Sequence, residues 1–150
     1  MKIILFQPEI PQNTGNIVRT CSVTGTGLIL VRPLGFSTSS RQLKRSGLDY
    51  WDDVKIEEID DLDLFLEKTE NPFYFFSSKV DKPYSSPKYE TNALLIFGSE
   101  TSGLPDYFHE KYPEKFLTIP MQENKRCLNL SNAAAIVLFE ALRQQEFNFV

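Results

Sequence analysis

Short apolar runs alternating with helical patterns constrain this chain more than any other feature. Ile3–Phe6, Leu28–Val31, Val54–Ile59, Phe73–Phe76, Ala93–Phe97 and Phe116–Ile119 each have the length of a strand. Between them the pattern turns helical. Thr14–Val23 reads as a helix, with Asn13 or Thr14 as its cap and Gly25 and Gly27 past its end. Ser37–Leu43 reads as a short helix and Leu62–Lys68 as an amphipathic one. Ser131 to about Gln145 reads as the last helix, with Ala134, Val137, Leu138, Ala141 and Leu142 on one stripe. Pro83–Tyr89 reads as a loop. Strand alternating with helix predicts an α/β domain on a mostly parallel sheet.

The 150 residues fit a single domain, 1–150, large enough for a real core. No stretch approaches the length of a membrane span. The opening apolar run is too short for a signal sequence, so a cytoplasmic protein is expected. Cys21 and Cys127 lie far apart with no paired spacing. They read as reduced thiols, and no metal site is expected.

Net charge is −4, but it is unevenly distributed. Residues 1–48 carry six basic groups and one acidic; residues 49–70 carry ten acidic and two basic. A basic N-terminal third can face a polyanion while the acidic segment faces away. The plainer alternative is that these charges average out in space.

In a parallel sheet, ligands sit beyond the carboxyl ends of the strands. Ser77–Lys79, Gly98–Gly103 and Pro120–Asn129 occupy such ends, and they converge only if their strands are neighbours. In the run Ile119-Pro-Met-Gln-Glu-Asn-Lys-Arg-Cys-Leu-Asn-Leu-Ser-Asn-Ala-Ala-Ala135, a polar loop passes directly into an apolar helix. Asn129, Ser131 and Asn132 crowd that boundary, where one cap needs only one of them. The surplus suggests a site.

Phe97-Gly-Ser-Glu-Thr-Ser-Gly-Leu-Pro105 is a glycine-bounded loop after a buried strand. It lacks the Lys-Ser/Thr pair of a phosphate-cradling loop and the Gly-x-Gly-x-x-Gly of a dinucleotide fold. Glu100 would repel a pyrophosphate, so a flat neutral or cationic ligand fits better. A simple turn with two useful glycines is the competing reading. Asn13-Thr-Gly-Asn16-Ile-Val-Arg19 opens the first helix, with Asn16 and Arg19 on one face. Arg19 can grip a phosphate there; a solvated helix residue is the alternative. Arg41, Lys44 and Arg45 form a basic cluster before Tyr50-Trp51, suited to an RNA backbone and its bases or to a solvated helix face. His109, the only histidine, reads as a surface residue. No nucleophile elbow or Ser-His-Asp order is present.

Together, Asn13–Arg19, Phe97–Pro105 and Ile119-Pro-Met with Leu128-Asn-Leu-Ser-Asn-Ala133 resemble the three ordered motifs of the SPOUT RNA methyltransferases. Gly47-Leu-Asp-Tyr50 resembles their small single-domain subgroup, which methylates the 2′-oxygen of the tRNA wobble nucleotide. The similarity runs nearly end to end. It implies helices on both faces of the sheet, a C-terminal trefoil knot (an exception to the rule against knots) and a homodimer. It implies S-adenosylmethionine as methyl donor, leaving as S-adenosylhomocysteine, held at Phe76, Gly98, Ile119 and Cys127 largely through backbone groups. The resemblance implies Ser in close relatives at the position of Cys127. It implies Arg19, Glu100 and Asn129 as catalytic-site residues, with Arg41, Lys44 and Arg45 toward the RNA. The expected target is the ribose of nucleotide 34, cytidine or modified uridine, in the tRNA anticodon stem-loop.

The expected chemistry is in-line attack of a ribose 2′-oxygen on the sulfonium methyl, needing no metal. Arg19 would position the phosphate or stabilise the forming alkoxide, since an arginine stays protonated and makes a poor base. One subunit would hold the donor while the other supplies Arg19. The last helix, through Ala133–Ala135 and its Leu/Val stripe, packs either against its twin or into its own core. The rival readings are the same fold acting on ribosomal RNA or another tRNA position, a non-catalytic module that binds RNA and S-adenosylmethionine, and a regulator that binds a small nucleotide and no RNA.

Overall fold

The computed structural model describes residues 1–37, 50–123 and 125–148. Six strands form one sheet: β1 Lys2–Phe6, β2 Gly27–Val31, β3 Ile56–Ile59, β4 Phe73–Phe76, β5 Leu94–Phe97 and β6 Phe116–Leu117. Their spatial order is β3-β2-β1-β5-β4-β6, and every pairing is parallel. Among the described residues the α-helices are α1 Pro11–Thr24, α2 Leu62–Lys68, α3 Asp106–Lys111 and α4 Leu130–Gln144.

Except for the edge strand β3, the strands are largely apolar on both faces because both faces are covered. Ile3, Leu5, Leu28, Leu30, Leu95 and Phe97 pack with Ile17, Val18 and Cys21 of α1 and Val137, Leu138 and Ala141 of α4. The alternate residues Ile4, Ile29, Phe75, Ile96 and Phe116 pack with Leu62 and Leu66 of α2 and Phe108 of α3. Burial pushes the Cys21 thiol up to about 12, so this cysteine is an inert core residue. Cys127 is exposed, and neither cysteine is in a disulfide.

This layering separates the charges. The acidic helix α2 lies on the face opposite α1, which carries Arg19. Its carboxylates Asp63 and Glu67 hold Lys111 of α3 at 2.7 and 2.8 Å. Asp60 holds Arg32 at 2.8 Å. Asp63 and Glu67 thus face away from α1, whereas Tyr50, Trp51, Val54 and Ile56 of the same acidic segment pack on the α1 side.

Three elements differ from expectation. Helix α1 starts at Pro11 rather than Thr14, and its N-cap Ile10 makes no side-chain cap bond. Proline at the first helical position needs no N–H there, so it opens the helix without a polar cap. Asn13 and Thr14 are therefore inside the helix, and neither caps it. Strand β6 stops after Leu117, because Thr118 turns to the strap at 82–84: Tyr84 N donates to Thr118 O at 2.7 Å and Thr118 N to Lys82 O at 2.8 Å. Helix α3, short and mostly polar, carries no strong periodicity, so the sequence showed only a polar stretch there. It half-buries His109, whose ring stacks on Phe116 at 3.7 Å between centroids; His109 is not simply a surface residue. The expected helix at Ser37–Leu43 falls, beyond its first residue, outside the described residues, as do Arg41, Lys44 and Arg45.

Candidate active site

Strand order decides whether the three candidate loops meet. β5, β4 and β6 are adjacent, so the segments after them converge at one end of the sheet. They line a cleft of about 900 Å³ with Phe76–Lys79, Phe97–Leu104, Thr118–Ile119 and Arg126–Leu130 in its walls. Phe76, Gly98, Ile119 and Cys127 all line it, as do Glu100 and Asn129. Arg19 does not.

The loop after β5 is fixed by its glycines. Ser99 N donates to Gly103 O and Gly103 N to Ser99 O, closing a tight turn. Gly103 has a φ of +69°, which favours glycine. A Cβ on Gly98 would lie 2.2 Å from the Gly103 carbonyl carbon, so only glycine fits. This folding back presents backbone of residues 98–103 to the cleft. Phe76 stacks on Phe97 behind the floor, with centroids 4.9 Å apart.

The sheet order reverses between β1 and β5, a point where ligands often bind in such folds. Here Glu100 bridges that crevice. Its carboxylate accepts from Glu9 N at 2.8 Å, from Ile10 N at 3.2 Å and from Asn13 Nδ2 at 3.0 Å. Thr101 adds a hydrogen bond to the Glu9 carboxylate. Asn13, buried to 6% exposure, accepts in turn from Asn129 Nδ2 at 2.8 Å. Asn129 Oδ1 accepts from Ser131 N at 2.9 Å and from Ser131 Oγ at 2.7 Å, capping α4. The polar surplus at this helix start is thus a relay: Ser131 to Asn129 to Asn13 to Glu100. It locks the β5 loop, the start of α1 and the start of α4 together.

Asn13 is the member of this relay that sequence reasoning missed as a site residue, having read it only as a possible cap. The signal was its place in the Asn-Thr-Gly-Asn run. Cys127 reaches across the cleft to Ser78, Sγ to Oγ 3.3 Å. Lys79 and Arg126 stand at the rim, with Lys79 paired to Asp106 at 3.2 Å.

Arg19 lies elsewhere. Six residues beyond Asn13, it sits about 9 Å further along the helix and roughly 120° around it. It is exposed, with its guanidinium carbon 5.2 Å from the Tyr50 ring centre. Asn16 and Thr20 flank it, and Val23, 60% exposed, continues the same outer face. On α4, the expected Leu/Val stripe is core, whereas Ile136 and Phe139 are exposed large apolar residues.

The cleft fits a flat cationic ligand. Exposed Ile10, Met121 and Leu128 offer apolar surface, the glycine loop offers backbone groups, and Glu100 supplies negative charge. Among the described residues no cluster of His, Cys, Asp or Glu could hold a metal ion. No helix among them is long and apolar enough to cross a membrane.

Comparison with known proteins agrees with this geometry. The SpoU rRNA Methylase family matches residues 1–139. A Listeria monocytogenes protein is 52% identical over 97% of this chain and 88% of its own length. A tRNA (cytidine(34)-2′-O)-methyltransferase of Methylovorus glucosotrophus is 42% identical over 97% of this chain and 96% of its own length. A solved structure concerned with 2′-OH methylation of C/U34 on tRNA superposes with a TM-score of 0.90 at 39% identity, covering 97% of this chain and 95% of that one. At 22% identity, a SpoU methyltransferase from Streptomyces viridochromogenes, solved in complex with the cofactor AdoMet, shares the fold with a TM-score of 0.85 over 97% of this chain and 58% of that one. With the family match spanning nearly its whole length, the chain belongs to the SpoU methylase family.

Proposed function

We propose that the chain is an S-adenosylmethionine-dependent tRNA 2′-O-methyltransferase, acting through one domain of residues 1–150 on the ribose of nucleotide 34 in the anticodon stem-loop. The observation that carries this is the cleft at β5, β4 and β6, in a chain so similar over its length to relatives named for that reaction. The methyl donor supplies an electrophilic methyl on a cationic sulfur. The glycine loop and Ile119 hold it through backbone and apolar contacts. Glu100 gives its charge a negative neighbour while pinning the loop. Cys127, with Ser78, closes the rim, and a backbone contact at this position is indifferent to a thiol in place of a hydroxyl.

Arg19 orients the RNA phosphate and stabilises the developing 2′-oxyanion. Because it faces away from the cleft of its own chain, the site is completed by a second copy. The exposed face of Asn16, Arg19 and Val23 on α1, and exposed Ile136 and Phe139 on α4, support a homodimer that brings Arg19 to its partner's cleft. The strap of residues 77–93 supports a trefoil knot. It is fastened to Thr118 at one side and to α4 at the other, where Tyr89 N donates to Gln144 Oε1 at 3.0 Å and Gln144 Nε2 to Pro87 O at 3.1 Å. The basic cluster Arg41, Lys44 and Arg45 contacts the stem, and a cytoplasmic location follows from a tRNA substrate.

The test is incubation of the protein with unmodified tRNA and methyl-labelled donor, followed by nuclease mapping. Label at the ribose of nucleotide 34 is expected, and its loss in Arg19→Ala by at least about 100-fold. Label confined to ribosomal RNA or another tRNA position, or none at all, would overturn the reading.

A further inference from the structure

Arg19 poses a physical problem that the site alone does not solve. A long, exposed arginine samples many rotamers, yet a group acting on a reacting centre must be held in place. Among the described residues no carboxylate pairs with it and no hydrogen bond is recorded to its guanidinium. What it has is an aromatic face. The guanidinium carbon lies 5.2 Å from the centre of the Tyr50 ring, inside the range of a cation–π interaction. Tyr50 is itself anchored, half-buried against the core on the α1 side of the sheet.

We infer that Tyr50 is the positioning residue for Arg19: its ring holds the guanidinium in a working orientation without neutralising it. This rests on the proposed role of Arg19. A carboxylate partner would hold Arg19 as well, but it would compete with the RNA phosphate for the same donors. An aromatic face leaves the edge donors free.

Single-turnover methylation by the full chain, at saturating tRNA and labelled donor, tests this. Tyr50→Leu keeps an apolar side chain and loses the π face. We expect its rate to fall about fivefold with donor affinity unchanged, and Tyr50→Phe to restore it. In an Arg19→Ala background, Tyr50→Leu should cost nothing further. A folded Tyr50→Leu protein that reacts at the wild-type rate, or an additive loss in the double variant, would overturn the inference. An Arg19→Ala protein of normal rate would instead sink the role of Arg19 itself. A second measurement needs no variant to fold. In side-chain NMR of ¹⁵N-arginine-labelled protein, Arg19 Hε should resonate upfield from the other arginines through the ring current. An Arg19 signal at the free-arginine position would overturn the inference on its own.

Discussion

The wall of the cleft and the Arg19 face are held by opposite means. In the wall, Glu100, Asn13, Asn129 and Ser131 are tied to one another and to three backbone N–H groups. On the Arg19 face, an exposed guanidinium rests against one ring. A pocket for a small, constant ligand gains from rigidity. A group that meets a large RNA gains from being reachable and must not spend its donors beforehand. On the proposed roles, stability and reactivity are carried by separate residues of the same three motifs.

Perturbing the wall should therefore move stability and donor binding together, whereas perturbing the Arg19 face should move rate alone. The largest effect is expected at Gly98. Gly98→Ala forces a Cβ against the Gly103 backbone, and we expect donor affinity to drop at least about 100-fold with a lower Tm, by calorimetric titration and thermal melting. Next, Glu100→Gln turns one of the two acceptor oxygens into a donor, facing either the Glu9 amide or the Ile10 amide and Asn13 Nδ2. A loss of about 1–3 kcal/mol in denaturant-derived stability is expected, with weaker donor binding. Full stability in Glu100→Gln would mean that the clamp is not structural. Asn129→Ala removes the α4 cap and the link to Asn13, for a loss of about 1 kcal/mol.

The smallest effect concerns pH and lies in neither region. Burial holds the His109 pKa below its ordinary 6.5, aided by Lys79 and opposed by Asp106. Its Nε2 is buried with no partner among the described residues. The unfolded chain binds this proton more readily, so the neutral ring's contribution is present above about pH 6.5 and is lost as pH falls toward the lower folded value. The Tm should decline from pH 7 to 5, and less steeply in His109→Gln. Equal slopes would show that His109 does not govern the decline.

The sheet was legible because buried strands such as Leu94–Phe97 are apolar throughout, and the three cleft loops followed from being at strand ends. Their convergence was not, since it depends on β4 lying between β5 and β6. The start of α1 was misread because Asn13 and Thr14 look like caps while Pro11 works without one. The relay was invisible for a different reason. Glu100 stands 87 residues from Asn13, and Asn13 stands 116 from Asn129, so no local pattern encodes their bonds. Helix α3 was not legible, because the stretch around His109 is short and shows no helical period.

The orientation of Arg19, turned from the cleft of its own chain, carries a genetic consequence. On the proposed dimer each site draws its wall from one copy and its guanidinium from the other. Two separately inactive proteins, Arg19→Ala and Gly98→Ala, should then complement when co-expressed. Mixed dimers would pair an intact cleft from the first with an intact arginine from the second. Random assortment would make half of all dimers mixed, each with one working site, so about a quarter of wild-type activity should return from two dead parents.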